Sequence, residues 1–85
     1  MDKQLFKNAA GDIHFGLNPP EGFLPCEKKD AVSALKKIGK KKLWRCYVCD
    51  DLHFGVNYPD PCPTCITKKS YGEIDLEEFR SVIGL

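Results

Sequence analysis

Between Asp12 and Asn18 the chain alternates: Ile13, Phe15 and Leu17 fall on one side of an extended backbone, and His14, Gly16 and Asn18 on the other. Residues 51–57 do the same, with Leu52, Phe54 and Val56 set against His53, Gly55 and Asn57. Each run predicts a strand with one buried face, and places both histidines on the opposite face in a structural or surface role. Two other stretches read as short helices. Asp30 stands as an N-cap before residues 31–38, with Gly39 as the C-cap. Asp75, followed three residues later by Glu78, predicts a capping box opening a helix over Leu76, Phe79, Val82 and Ile83 that ends at Gly84. The proline-rich stretches 18–22 and 58–61 are loops.

The two alternating runs are copies. Asp12-Ile13-His14-Phe15-Gly16-Leu17-Asn18 returns thirty-nine positions later as Asp51-Leu52-His53-Phe54-Gly55-Val56-Asn57. The same offset carries Cys26 onto Cys65. After a one-residue gap Leu5-Phe6-Lys7 falls on Leu43-Trp44-Arg45, and further on Asp30, Ala34 and Ile38-Gly39 fall on Asp75, Phe79 and Ile83-Gly84. The pattern predicts one domain, 1–85, built of two pseudo-repeats, about 5–40 and 43–85, each a hairpin, a loop and a helix.

The copies differ at cysteine. Cys46-Tyr47-Val48-Cys49 and Cys62-Pro63-Thr64-Cys65 are two CxxC pairs separated by twelve residues. That is the spacing at which two tight turns offer four sulfurs to one tetrahedral metal ion. The first copy has Asn8, Ala9 and Ala10 in place of the first pair and Phe23 in place of Cys62, so it is expected to be metal-free. Cys26 is then a small buried hydrophobe. Paired disulfides fit poorly with an odd count of five cysteines, and a thioredoxin-like redox pair with a duplicated motif that no βαβ pattern surrounds.

Charge is nearly balanced, at +1 overall, but unevenly spread. Residues 1–45 hold ten basic and five acidic side chains, and residues 46–85 hold three and seven. No run of about 18 apolar residues is present, which argues against a membrane span. The ordinary start and the lysine content suit a cytoplasmic protein. At 85 residues a hydrophobic core alone gives thin stability, and a structural metal contributes about 10–16 kcal/mol in small fingers. The site is therefore expected to decide whether residues 43–66 fold.

Residues 43–66 resemble the rubredoxin-like domain at the C-terminal end of rubrerythrins. The likeness rests on Trp44-Arg45 before the first ligand, the twelve-residue spacer, His53 near its start, and the Cys-Pro-x-Cys second knuckle. It implies a small metal-bound α+β fold of rubredoxin-like or zinc-ribbon-type hairpins with two short helices, here internally duplicated. It further implies that Cys46, Cys49, Cys62 and Cys65 hold one iron ion that passes single electrons to and from a redox partner protein. The same four thiolates bind zinc, giving a structural zinc ribbon that serves as a protein- or nucleic-acid-binding module. The family usually has glycine after the second cysteine of each knuckle. Here Asp50 and Ile66 stand there, and a β-branched Ile66 is expected to send the second knuckle along another path, at the cost of its amide-to-sulfur bonds.

Residues 36–45 pack six basic side chains into ten, read chiefly as a solvated linker and secondarily as a site for an acidic partner or nucleic acid. Trp44, Tyr47, Phe54, Tyr58 and Phe79 are expected to pack beneath the knuckles. No Ser-His-Asp ordering, phosphate loop, paired carboxylates or Glu-x-x-His motif supports an enzyme.

Overall fold

In the computed structural model, which describes residues 3–85, the first part of each alternating run is a strand, with Leu17 and Val56 exposed beyond the strand ends rather than buried, and both capped stretches hold helices. The elements are β1 (Gln4–Lys7), β2 (Ile13–Gly16), β3 (Leu24–Pro25), α1 (Lys28–Leu35), β4 (Lys42–Cys46), β5 (Leu52–Gly55), β6 (Tyr71–Ile74) and α2 (Leu76–Ile83). The strands form one antiparallel sheet of order β3-β1-β2-β5-β4-β6, so the molecule is a small α+β unit. Its strand order is palindromic. β1 lies between β2 and β3, β4 lies between β5 and β6, and the two halves meet along β2–β5. At that seam Ile13 faces Phe54, His14 faces His53 and Phe15 faces Leu52.

Both helices lie on one face of the sheet. Leu5, Ile13, Leu43, Leu52 and Phe54 point that way and meet Ala31 and Leu35 of α1 and Phe79 and Ile83 of α2. Burying each large apolar side chain here contributes about 1.5–3 kcal/mol, which makes this the main apolar core. Along β4 the period of two then turns Trp44 and Cys46 to the opposite face. Loops, not helices, cover that side.

Several expectations are corrected. α1 starts a turn earlier than predicted, because Glu27 is its N-cap and Asp30 is its third residue, whose carboxylate accepts from the Glu27 amide at 2.9 Å. It also stops at Leu35, and Gly39, with φ 55°, serves the turn into β4. α2 begins and ends as predicted: Asp75 accepts from the Glu78 amide at 2.8 Å, and Gly84 takes φ 78°. The Glu78 carboxylate, however, is bound to Arg45 Nη1 at 2.9 Å rather than turned back to the cap. Strands β3 and β6 went unpredicted, being two and four residues long and carrying Pro25 and Gly72. Finally, β2 and β5 have no open face. His14 is fully buried and His53 only 4 % exposed, with Phe23 closing over both rings at centroid distances of 6.4 and 5.6 Å.

Candidate metal centre

Two turns of the same construction approach each other on the loop-covered face. The first follows β4, where the Asp50 amide returns to the Cys46 carbonyl at 3.0 Å. In the second, the Ile66 amide returns to the Cys62 carbonyl at 2.8 Å. Asp50 and Ile66 take φ 66° and 61°, so the expected detour at Ile66 does not occur. A β-branched residue is held in a left-handed conformation it ordinarily avoids, because the turn requires it.

The turns bring Cys46, Cys49, Cys62 and Cys65 together with all four sulfurs within 4.8 Å of one another. Cys46 and Cys65 sulfurs are 3.7 Å apart, and Cys49 and Cys62 sulfurs 3.5 Å. Four sulfurs at about 2.3 Å from a common centre would be about 3.8 Å apart, whereas a disulfide needs about 2.05 Å. The donor set therefore fits one tetrahedral ion, and it is the sole such cluster among the described residues.

Amides reach three of the sulfurs. Burial pushes the Cys49 thiol up while the Asp51 amide donates to it. Burial likewise raises Cys62, against donation from the Cys65 and Thr64 amides. Cys65 is pulled down to about 6, first by the Thr67 hydroxyl and then by the Thr67 amide. Donation from the Thr64, Cys65 and Thr67 amides thus acts on the second knuckle's sulfurs, where the sequence pattern predicts its loss. Such bonds favour the thiolate and tune whatever it binds.

Polar groups that sequence reasoning missed surround the cluster. Ser70 Oγ lies 3.2 Å from Cys46 Sγ, and the Tyr71 hydroxyl 3.3 Å from Cys62 Sγ. Burial, and then Cys62, pushes Tyr71 up, keeping its hydroxyl a donor. Tyr71 stacks on Tyr58, which meets Trp44 edge-on, and this aromatic row packs against the buried Cys46 and Cys62. Trp44 and Tyr58 accordingly lie where predicted. Tyr47 does not, being 70 % exposed, and Phe54 and Phe79 belong to the helix-covered core on the other face.

Asp51 is the least expected neighbour. Its carboxylate is fully buried, with Oδ2 3.7 Å from Cys62 Sγ. Burial would raise it, but the influence of His14, Thr64 and Lys3 outweighs that and holds it below the usual carboxylate range. His14 Nε2 lies 3.2 Å from Oδ2 and Lys3 Nζ 3.2 Å from Oδ1, and Lys3 also donates to the Cys49 carbonyl. A buried carboxylate beside four thiolates requires such partners. It also requires Gly16, since a Cβ there would come within 2.3 Å of Asp51 Oδ2. The sole signal in the sequence was the Asp-x-His-x-Gly spacing common to both copies.

Cys26 stays apart, half-buried against the helix-covered core, with its thiol pushed up chiefly by burial. Half of the basic run is committed within the molecule. Lys41 binds Asp12 at 2.9 Å, Lys42 approaches Glu73 at 3.7 Å, and Arg45 binds Asp50 and Glu78, leaving Lys36, Lys37 and Lys40 free of an ion pair among the described residues. No helix among those residues is long and apolar enough to cross a membrane.

No family model, curated protein or solved structure matches the chain.

Proposed function

We propose that the protein is a rubredoxin-like one-electron carrier or redox accessory module, holding one iron ion through Cys46, Cys49, Cys62 and Cys65, with catalysis supplied by a partner protein. The observation that carries this is the four-sulfur cluster, with sulfur pairs 3.5 and 3.7 Å apart. When bound, iron in such a set supplies a single-electron ferrous–ferric couple with little change of geometry. The chain's contribution is preorganisation. The two turns hold the sulfurs, the amides and the Tyr71 hydroxyl stabilise thiolate charge, and Trp44, Tyr58 and Tyr71 keep water from the inner sulfurs.

Exposure fits a carrier. Cys46 and Cys62 are buried, whereas Cys49 and Cys65 are partly exposed between the apolar knuckle tips Tyr47, Val48 and Ile66, which are 61–70 % exposed. An electron can thus leave at an accessible edge without the inner sulfurs meeting solvent. The palindromic sheet and the facing His14 and His53 support reading residues 5–40 and 43–85 as two related units, the first without metal.

Zinc is the second reading, favoured by the same sulfur spacing, and would make the site a structural staple for a binding surface. Protein purified from iron-supplemented anaerobic growth should be red when oxidised and bleach reversibly with dithionite. Colourless protein carrying one zinc from such cells would establish the zinc reading instead.

A further inference from the structure

His14 and His53 face each other across the β2–β5 seam with their Nδ1 atoms 3.0 Å apart, both rings buried. Such a contact needs one proton between the nitrogens. On the outer side of His14, Nε2 meets the Asp51 carboxylate at 3.2 Å. On the outer side of His53 lies Asp12: a Cβ on Gly55 would meet His53 Nε2 at 3.2 Å and Asp12 Cγ at 3.2 Å, much as one on Gly16 would meet Asp51. The row is closed by Lys3 on Asp51 at 3.2 Å and by Lys41 on Asp12 at 2.9 Å, with Asn8 Nδ2 donating to Asp12 at 3.2 Å. Lysine, aspartate, two histidines, aspartate and lysine thus run through the molecule. One end lies 3.7 Å from Cys62 Sγ, and the other, at Asp12, is 22 % exposed.

Counting protons defines two states. If His14 Nε2–H serves Asp51 and His14 is neutral, its Nδ1 must accept from His53 Nδ1–H, which leaves His53 Nε2 bare on the Asp12 side. One further proton places an N–H at both outer nitrogens, and the pair becomes a cation between two carboxylates. A second positive charge is excluded, since burial and the charge of His14 hold His53 down to about 3.

We propose that the His14–His53 pair is a redox-linked proton site, which in a fraction of molecules takes up a proton from solvent past Asp12 as an electron enters the thiolate cluster and returns it on oxidation. The assignment rests on the iron-carrier reading. The electron comes from a one-electron donor protein and the proton from water, and no other bond is made or broken. Reduction adds one negative charge beyond Asp51, and in a buried setting that charge is weakly screened at the imidazoles. Felt across the Asp51 carboxylate, that charge raises the pair's pKa by about one unit on reduction.

The test uses the full chain loaded with Zn²⁺ or with Ga³⁺, closed-shell ions that differ by one charge in the same four-sulfur site. Imidazole ¹⁵N shifts of His14 and His53 are followed from pH 5 to 9. The pair should titrate about one unit higher in the zinc protein. Equal values, or no change of protonation in either form, overturn the proposal. Asp12→Asn, remote from the sulfurs, should lower both values and preserve their difference, whereas His53→Gln should abolish the paired titration. In the iron protein the reduction equilibrium constant should fall about tenfold in all as pH rises past the two values, at most about threefold per pH unit, and be flat in His53→Gln. A redox-silent iron protein that keeps the zinc–gallium difference defeats the carrier reading and leaves the charge-linked proton site standing. A redox-active one without that difference defeats the proton site alone.

Discussion

Ile66 shows how a single side chain records the demand of a site. Its φ of 61° is one that glycine adopts freely and a β-branched residue resists, and at 67 % exposure its side chain gains little from burial. Ile66→Gly should therefore stabilise the zinc-loaded protein by about 1 kcal/mol, read from the urea midpoint, with metal content unchanged. His53 carries an acid liability. Burial and His14 hold it down to about 3, while in the unfolded chain it titrates near 6.5. Between those values the unfolded chain binds the extra proton, so the contribution is complete above about 6.5 and lost as pH falls toward 3. Unfolding free energy of the zinc protein should fall by up to about 1.4 kcal/mol per pH unit below 6 on this account, and His53→Gln should have a correspondingly shallower slope.

At the scale of elements, legibility followed the locality of the signal. α2 was readable because its cap and its stop are nearest-neighbour chemistry: Asp75 meets the Glu78 amide, and Gly84 supplies a left-handed residue. Asp75→Ala should cost about 1 kcal/mol in thermal unfolding and leave metal stoichiometry at one. α1 was misread at its start because Glu27 and Asp30 both offer a carboxylate, and which becomes the cap depends on where β3 delivers the chain. Strand β6 was missed because four residues including a glycine carry no period, and it exists through pairing with β4, Leu43 to Ile74 and Cys46 to Tyr71. The histidines were misassigned to an open face because alternation reports one covered side of a strand and says nothing of what a distant loop, here Phe23, lays on the other.

For the whole molecule, two clusters on opposite faces of one sheet divide the stabilisation. Leu43, Leu52 and Phe54 belong to the helix-covered core, so β4 and β5 have apolar support in addition to the site that was expected to decide whether residues 43–66 fold. The cluster of Cys46, Cys62 and Tyr71 has little apolar area apart from its aromatic row. Removing metal with a strong chelator should lower amide exchange protection roughly 100-fold or more in residues 46–50 and 62–71, and leave β1, β2 and β5 protected. Metal analysis should find Cys62→Ser unable to bind tightly and Cys26→Ser still holding one ion, because Cys26 sits against the other core.

Whatever depends on spacing along the chain was already determined by the sequence. The two CxxC pairs, the alternating strands, the second helix and the recurring Asp-x-His-x-Gly segment are short-range patterns, and the physics of turns, caps and pleats acts over a few residues. Which groups become neighbours across the sheet was decided by the tertiary structure alone. Antiparallel pairing of β2 with β5 sets His14 against His53, and the missing side chain of Gly16 lets Asp51 fold in beside Cys62. A carboxylate, two imidazoles and four sulfurs acquire their properties from that proximity, because burial removes the water that would otherwise hold their charges apart.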